Sequence, residues 1–271
     1  MHELIVSFKK IWGAADVPFS AAPLRCYESP AYKKGLEQLR QFIAIKASGI
    51  IWGPNGVGKS RLVQSLVAQL PEQAYWSLVL THSSLKNSDF LRYLCIRQGL
   101  TPRGRRSDNV IALRKRWTDL NPVWPVILLE EAQNMTPDGL EEVRLLLCDT
   151  NNSKPPFSLI LVGDENLLAQ MRLGVHRPLL TRLSFSLELT PWPEDDCLAY
   201  INHRLAEVNI HRDIFSPQAK ELILRAANGI PRIINNLAQG ACLAAANAGA
   251  DNIDVHHVQA SLQQQPWLTF T

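Results

Sequence analysis

The chain has 271 residues, 46% hydrophobic and 20% charged, with 28 Lys and Arg against 25 Asp and Glu for a net +3. That length suits one large domain or a medium domain with a small one, and the composition excludes a disordered, collagenous or disulfide-stapled protein. No run reaches the roughly 18–20 apolar residues of a membrane span, Cys26, Cys95, Cys148, Cys197 and Cys242 lack any paired spacing, and the N-terminus is no secretory signal, so a cytoplasmic protein without a membrane role is expected.

In chain order, residues 33–47 carry Leu36, Leu39, Phe42 and Ile43 at helical spacing. The short apolar strand Gly49-Ile50-Ile51-Trp52 follows, then Gly53-Pro54-Asn55-Gly56-Val57-Gly58-Lys59-Ser60, which fits G-x-x-x-x-G-K-[ST] between a strand and a helix over 59–70. Glycines let backbone N–H groups wrap phosphates, and the helix N-terminus adds its positive dipole end. Lys59 is expected to reach the β- and γ-phosphates of ATP and Ser60 to hold Mg²⁺, with Arg61 beside them.

A second strand is predicted at Tyr75–Leu80, and helices at 86–98 and 108–117. Between Lys86 and Arg116 stand nine basic residues and two acids, a local +7 that leaves −4 for the rest of the chain. Arg103, Arg105 and Arg106 fall within four residues on a loop marked by Pro102 and Gly104. A flexible basic loop of this kind suits sequence-independent phosphate contact.

The strand Val126–Leu129 ends in Glu130 and Glu131, where a nucleotide site needs acids. Glu131 is the candidate general base. Glu130 stands where Asp is usual in the metal shell, and its extra methylene moves the carboxylate by about 1.5 Å, which points to slow hydrolysis. After a helix over 138–148, the strand Leu159–Val162 delivers Asp164, in the place of a γ-phosphate or water sensor. Arg177 and Arg182 follow, with Arg182 preferred for reaching a neighbouring subunit's γ-phosphate, and Leu183–Leu189 is strand-like. The character changes after Pro191-Trp192-Pro193: helices are predicted at 194–208, 216–227, 231–248 and 254–264, with Ser216 or Asp254 as N-caps. Arg232 opens one of them and is expected to point back towards nucleotide. His256 and His257 lack ligand spacing and read as surface residues. The tail 265–271 can dock on its own domain or hook a partner through Trp267 and Phe270. The division expected is an α/β core with its leader over 1–190, a helical lid over 191–264 and the tail.

The segments GPNGVGKS, ILLEEAQNM, LEEVRLLLCDT, LILVGDENLLAQMR, LLTRLSFSLELTP and NGIPRIINNLA, with the leader VPFSAAPLRCYESPAYKKGLEQL, resemble the ExeA-like branch of AAA+ ATPases over roughly residues 16–262. The resemblance implies a P-loop AAA+ core with a parallel sheet, a helical lid, and nucleotide between subunits. By position, Lys59, Ser60, Glu130 and Glu131 match the Walker motifs, Asp164 matches sensor 1, Arg182 the arginine finger and Arg232 sensor 2. The branch includes an accessory ATPase of type II secretion and helper ATPases of DNA transposons related to TnsC. Secretion members continue into a membrane span, and this sequence ends at Thr271, so the transposition branch is expected. That branch implies a ring or filament on duplex DNA, a transposase partner and a target-selection adaptor. Its DNA contacts would fall on Thr81–Lys86 and Thr101–Arg106, above all Lys86, Thr101, Arg103, Arg105 and Arg106. The alternatives are a secretion-type ATPase without a DNA role and a replication-loader-like adaptor.

Overall fold

The computed structural model describes residues 2–20, 26–81, 87–148 and 155–268. In chain order these form α1 (His2–Trp12), α2 (Pro30–Ala44), β1 (Gly49–Trp52), α3 (Lys59–Gln69), β2 (Tyr75–Leu80), α4 (Asn87–Arg97), α5 (Arg106–Asp119) and β3 (Trp124–Leu129). There follow α6 (Pro137–Leu147), β4 (Ser158–Gly163), α7 (Glu165–Met171), α8 (Arg177–Leu180), β5 (Phe185–Glu188), α9 (Glu194–Ala206), α10 (Pro217–Ala227), α11 (Pro231–Asn247) and α12 (Val255–Gln263). Contacts group the chain into a sheet unit, Pro30–Gly53 with Lys59–Leu189, and a helical unit, Met1–Ser29, Pro54–Gly58 and Thr190–Thr271.

The sheet unit is built on five parallel strands in the order β2-β3-β4-β1-β5. Its central strands are continuous apolar runs because helices cover both faces, and every residue of β4 is buried. Pro125 sits inside β3, where a missing N–H would break a ladder on either side. The register explains its tolerance: Pro125 pairs with Trp76 of β2, whereas the ladder to β4 begins one residue later, at Val126 with Ser158. Strand β3 therefore starts at Trp124, two residues before the apolar pattern predicts it. Helices α7 and α8 have no counterpart among the predicted elements; both are too short for a helical period to register.

Five helices, α1 and α9 to α12, make the helical unit around Ile201, Ile223, Ile234, Leu237 and Ala241, all fully buried. The leader is divided: its described residues before Pro30 group with these helices, and Pro30 onwards groups with the sheet. Phe8 and Trp12 of α1 stack at 5.6 Å and are buried, and the Trp12 indole donates to the Asp251 carbonyl at 2.9 Å. Arg204 of α9 is buried in an ion pair with Glu207 at 2.8 Å and donates to the Ser20 carbonyl at 2.6 Å. Tyr27 packs within 6 Å of Trp192, Tyr200 and His203.

Both expected caps are in place. The Ser216 hydroxyl accepts from the Ala219 N–H at 3.3 Å, and Asp254 opens α12 in a capping box whose return partner is His257. The Asp254 N–H donates to His257 Nδ1 at 3.0 Å. His256 is exposed, but His257 is 3% exposed, which corrects its reading as a surface residue. In the tail, Leu268 packs on the helical core while Trp267 stays 70% exposed.

Candidate nucleotide site and basic surface

Parallel strands send their carboxyl ends to one edge of a sheet, and that edge is where open α/β folds bind ligands. Here β3, β4 and β1 are neighbours, with Leu129 beside Leu161 and Gly163 beside Trp52. Glu130, Asp164 and Gly53, the next residues of these three strands, are therefore brought to one edge of the sheet unit.

The phosphate loop is built as its glycines require. Gly53 has φ +150°, and a side chain there would lie 2.1 Å from the Leu189 carbonyl oxygen. Lys59 opens α3, is buried, and donates from Nζ to the Gly53 carbonyl at 2.7 Å, closing the loop across its ends. Ser60 is exposed on the first turn of α3. Arg61 is half-buried and donates to Gln64 at 3.4 Å, and its carbonyl accepts from the Tyr32 hydroxyl at 3.3 Å. The loop tip Pro54–Gly58 groups with the helical unit. Within it Asn55 is exposed and Val57 buried, and the Val57 N–H donates to the Pro54 carbonyl at 3.4 Å. Gly56, at φ +90°, accepts from the Arg232 N–H at 3.3 Å, and a Cβ on it would lie 2.8 Å from that of Arg232. Arg232 is exposed at the start of α11, and its backbone is tied to the loop tip.

The acids differ sharply in their surroundings. Glu130 extends the β2–β3 ladder, its N–H donating to the Leu80 carbonyl at 2.8 Å. Its Oε1 is buried and has no hydrogen-bond partner among the described residues. A buried carboxylate oxygen left bare is costly unless something cationic completes it. With the exposed hydroxyl of Ser60, this donor set fits Mg²⁺, which would neutralise phosphate charge where it is bound. Glu131 is exposed, with left-handed backbone at φ 52° and ψ 38°, and its Oε2 accepts from Gln133 Nε2 at 2.8 Å. Asp164 is buried and used as a cap. Its Oδ1 accepts from the Asn166 N–H at 2.9 Å and its Oδ2 from Asn166 Nδ2 at 3.1 Å, which starts α7. Gln133 and Asn166, which bond Glu131 and Asp164, lie inside the segments ILLEEAQNM and LILVGDENLLAQMR, where the sequence alone assigns them no role.

Arg177 opens α8 and Arg182 follows its C-cap Thr181, and both are exposed. Arg182 folds back to donate to the Pro178 carbonyl. It also contributes, after the dominant hydrogen bond from Arg144, to holding the Glu141 carboxyl below its ordinary range.

The basic segment is not the flexible loop that its composition suggests. Asn109, 2% exposed, clamps the backbone of Arg103 from both sides, accepting its N–H at 2.7 Å and donating to its carbonyl at 3.0 Å. Arg92 adds a bond to the same carbonyl at 3.4 Å. Thr101, Arg103 and Arg105 are exposed, and among the described residues neither the Arg103 nor the Arg105 guanidinium has a hydrogen-bond partner. Arg106 is placed differently. It is the first residue of α5, and its Nε and Nη2 both meet Glu142 Oε1 at 2.6 Å, with the Glu142 side chain 6% exposed. Lys86 and the rest of 82–86 lie outside the described residues.

No helix among the described residues is long and apolar enough to cross a membrane. All five cysteines are free, and burial pushes the Cys197 thiol up to about 11.

A family model described as "AAA domain" matches residues 45–171. General secretion pathway protein A of Aeromonas hydrophila is 26% identical over 262 residues, covering 91% of this chain and 46% of that protein, so this chain spans less than half the relative's length. Among solved structures, Cdc6p from Pyrobaculum aerophilum superposes with a TM-score of 0.72 at 16% identity, covering 91% of this chain and 70% of that one. The Aeropyrum pernix ORC1 protein in complex with DNA gives 0.64 at 16% identity, covering 92% and 67%. Thermotoga maritima RuvB, a Holliday junction branch migration motor, gives 0.57 at 20% identity, covering 86% and 68%. These matches show the fold, a parallel five-stranded sheet flanked by helices in the P-loop AAA+ arrangement, with residues 45–171 similar to the AAA domain.

Proposed function

We propose that this protein is an ATP-hydrolysing switch that binds duplex DNA without sequence preference and oligomerises on it in the ATP state. Lys59 and the loop amides hold the phosphates, and Ser60 with Glu130 holds the metal. Glu131 takes the proton of the attacking water, and Asp164 senses the terminal phosphate. Arg182 reaches the nucleotide of the adjacent copy, and Arg232 links nucleotide state to the helical unit. The finer reading, carried by the motif resemblance, is a regulator of DNA transposition that recruits a transposase, with a target-selection adaptor as a further partner.

The observation that carries the DNA role is the clamped loop. A loop fixed in advance loses less entropy on binding than a mobile one, and it presents the Arg103 and Arg105 guanidiniums outward. Structures of ORC proteins on DNA share the fold, which supports the reading. A second reading, an accessory ATPase of secretion with no DNA role, is favoured by the likeness to General secretion pathway protein A. Salt separates the two. Binding to a random 30-base-pair duplex should weaken steeply as salt rises, and Arg103→Ala with Arg105→Ala should reduce the slope of log affinity against log salt by about 2. Unchanged affinity and slope in the double variant would exclude this surface and favour the secretion reading.

A further inference from the structure

We infer that Gln133 is a positioning residue for the hydrolytic carboxylate of Glu131, an inference that rests on the ATP-hydrolysing reading above. An exposed glutamate has three rotatable bonds, so its carboxylate samples many positions unless bonds hold it. Here the Gln133 amide does, donating from Nε2 to Glu131 Oε2 at 2.8 Å. The holder is itself held. Gln133 lies in the 3₁₀ turn Ala132–Asn134, whose Ala132 is fully buried, and Gln170 Nε2 donates to the Met135 carbonyl at 3.0 Å just beyond it.

The other end of the amide reaches β4. Gln133 Oε1 is buried without a hydrogen-bond partner, and a Cβ on Gly163 would lie 2.6 Å from it. Gly163 ends β4 and immediately precedes Asp164, so one side chain spans from the carboxyl end of the sensor strand to the carboxylate after β3. An amide is suited to this work: its N–H₂ end orients a carboxylate without bringing a charge of its own. A buried amide oxygen without a donor is unfavourable for stability alone, and this orientation directs the donating end to Glu131.

The test compares Gln133→Ala, Gln133→Met and Gln133→Glu with the wild-type chain and with Glu131→Gln. The measurements are steady-state ATP hydrolysis, affinity for a fluorescent ATP analogue, and Tm. Positioning predicts that the Ala and Met variants lose at least about tenfold in kcat, since misplacement by an ångström can cost about a hundredfold, with analogue affinity within about twofold of wild type and little change in Tm. Gln133→Glu keeps the side-chain length but removes the donating N–H₂ end, and should lose kcat as the Ala and Met variants do. Hydrolysis at the wild-type rate in the Ala and Met variants, while Glu131→Gln abolishes it, would overturn this inference alone. Parallel loss of affinity, Tm and kcat in both would overturn it too, by reducing Gln133 to a structural support of the turn. A wild type that binds ATP but never hydrolyses it would overturn the hydrolytic reading and this inference together.

Discussion

Arg103, Arg105 and Arg106 look equivalent in the sequence, and the structure divides them. Arg106 is committed to Glu142, a carboxylate 36 positions later in the chain whose side chain is 6% exposed, and no local pattern could reveal that pairing. Removing one partner of such a pair strands the other charge. Arg106→Ala should therefore lower stability by about 1–3 kcal/mol, read as a drop in urea midpoint, whereas Arg103→Ala and Arg105→Ala should leave it unchanged. Equal midpoints in all three would contradict the division. His257 was equally hidden, because its partner in the capping box is a backbone N–H and its burial depends on where α12 packs. Burial first, then neighbouring His256, lowers its pKa below the ordinary value of 6.5, against the opposing pull of Asp254. The folded state thus binds its proton less readily than the unfolded chain. Its contribution to stability is complete above about pH 6.5 and falls as pH drops towards the lowered folded value. His257→Gln should flatten unfolding stability across that acidic window, leaving the slope from buried His176, whose pKa is lowered in the same sense.

At the scale of elements, the loop after β1 was legible because its chemistry requires fixed residue types at fixed spacing. Its conformation matches: Gly53, Gly56 and Gly58 all have positive φ. Gly56 carries a second demand, the close approach of Arg232, so Gly56→Ala adds a strained backbone to a 2.8 Å contact. It should reduce ATP-analogue affinity by at least about tenfold, measured by titration, and an unchanged affinity would show that the tip accommodates a side chain. Strands β1, β2 and β4 were legible as apolar runs between helices. The start of β3 was obscured by Pro125, whose tolerance depends on register with two other strands. The basic loop before α5 reads as flexible from Pro102 and Gly104, since the buried Asn109 that clamps it looks like an ordinary polar residue of a helix. Asn109→Ala should free the loop and weaken duplex binding about three- to tenfold through the restored entropy while leaving ATP affinity intact.

At the scale of the molecule, the fold class followed from alternating strands and helices and from a phosphate loop that few other folds use. The grouping of the described residues before Pro30 with the C-terminal helices did not. Phe8, Trp12 and Tyr27 are separated from their partners on α9 and α11 by most of the chain, and only the folded contacts reveal that they belong to the helical unit. The small net charge concealed a basic segment on an acidic remainder, and the clamp on Arg103 gives that segment a defined surface. The central claim, that ATP gates a DNA-bound assembly through this surface, is tested most directly by sedimentation of the protein on a random-sequence duplex, with and without a non-hydrolysable ATP analogue. The account predicts large complexes with the analogue, few without it, and loss of the analogue's effect in Lys59→Ala. DNA association that is the same with and without nucleotide, in wild type and Lys59→Ala alike, would contradict it.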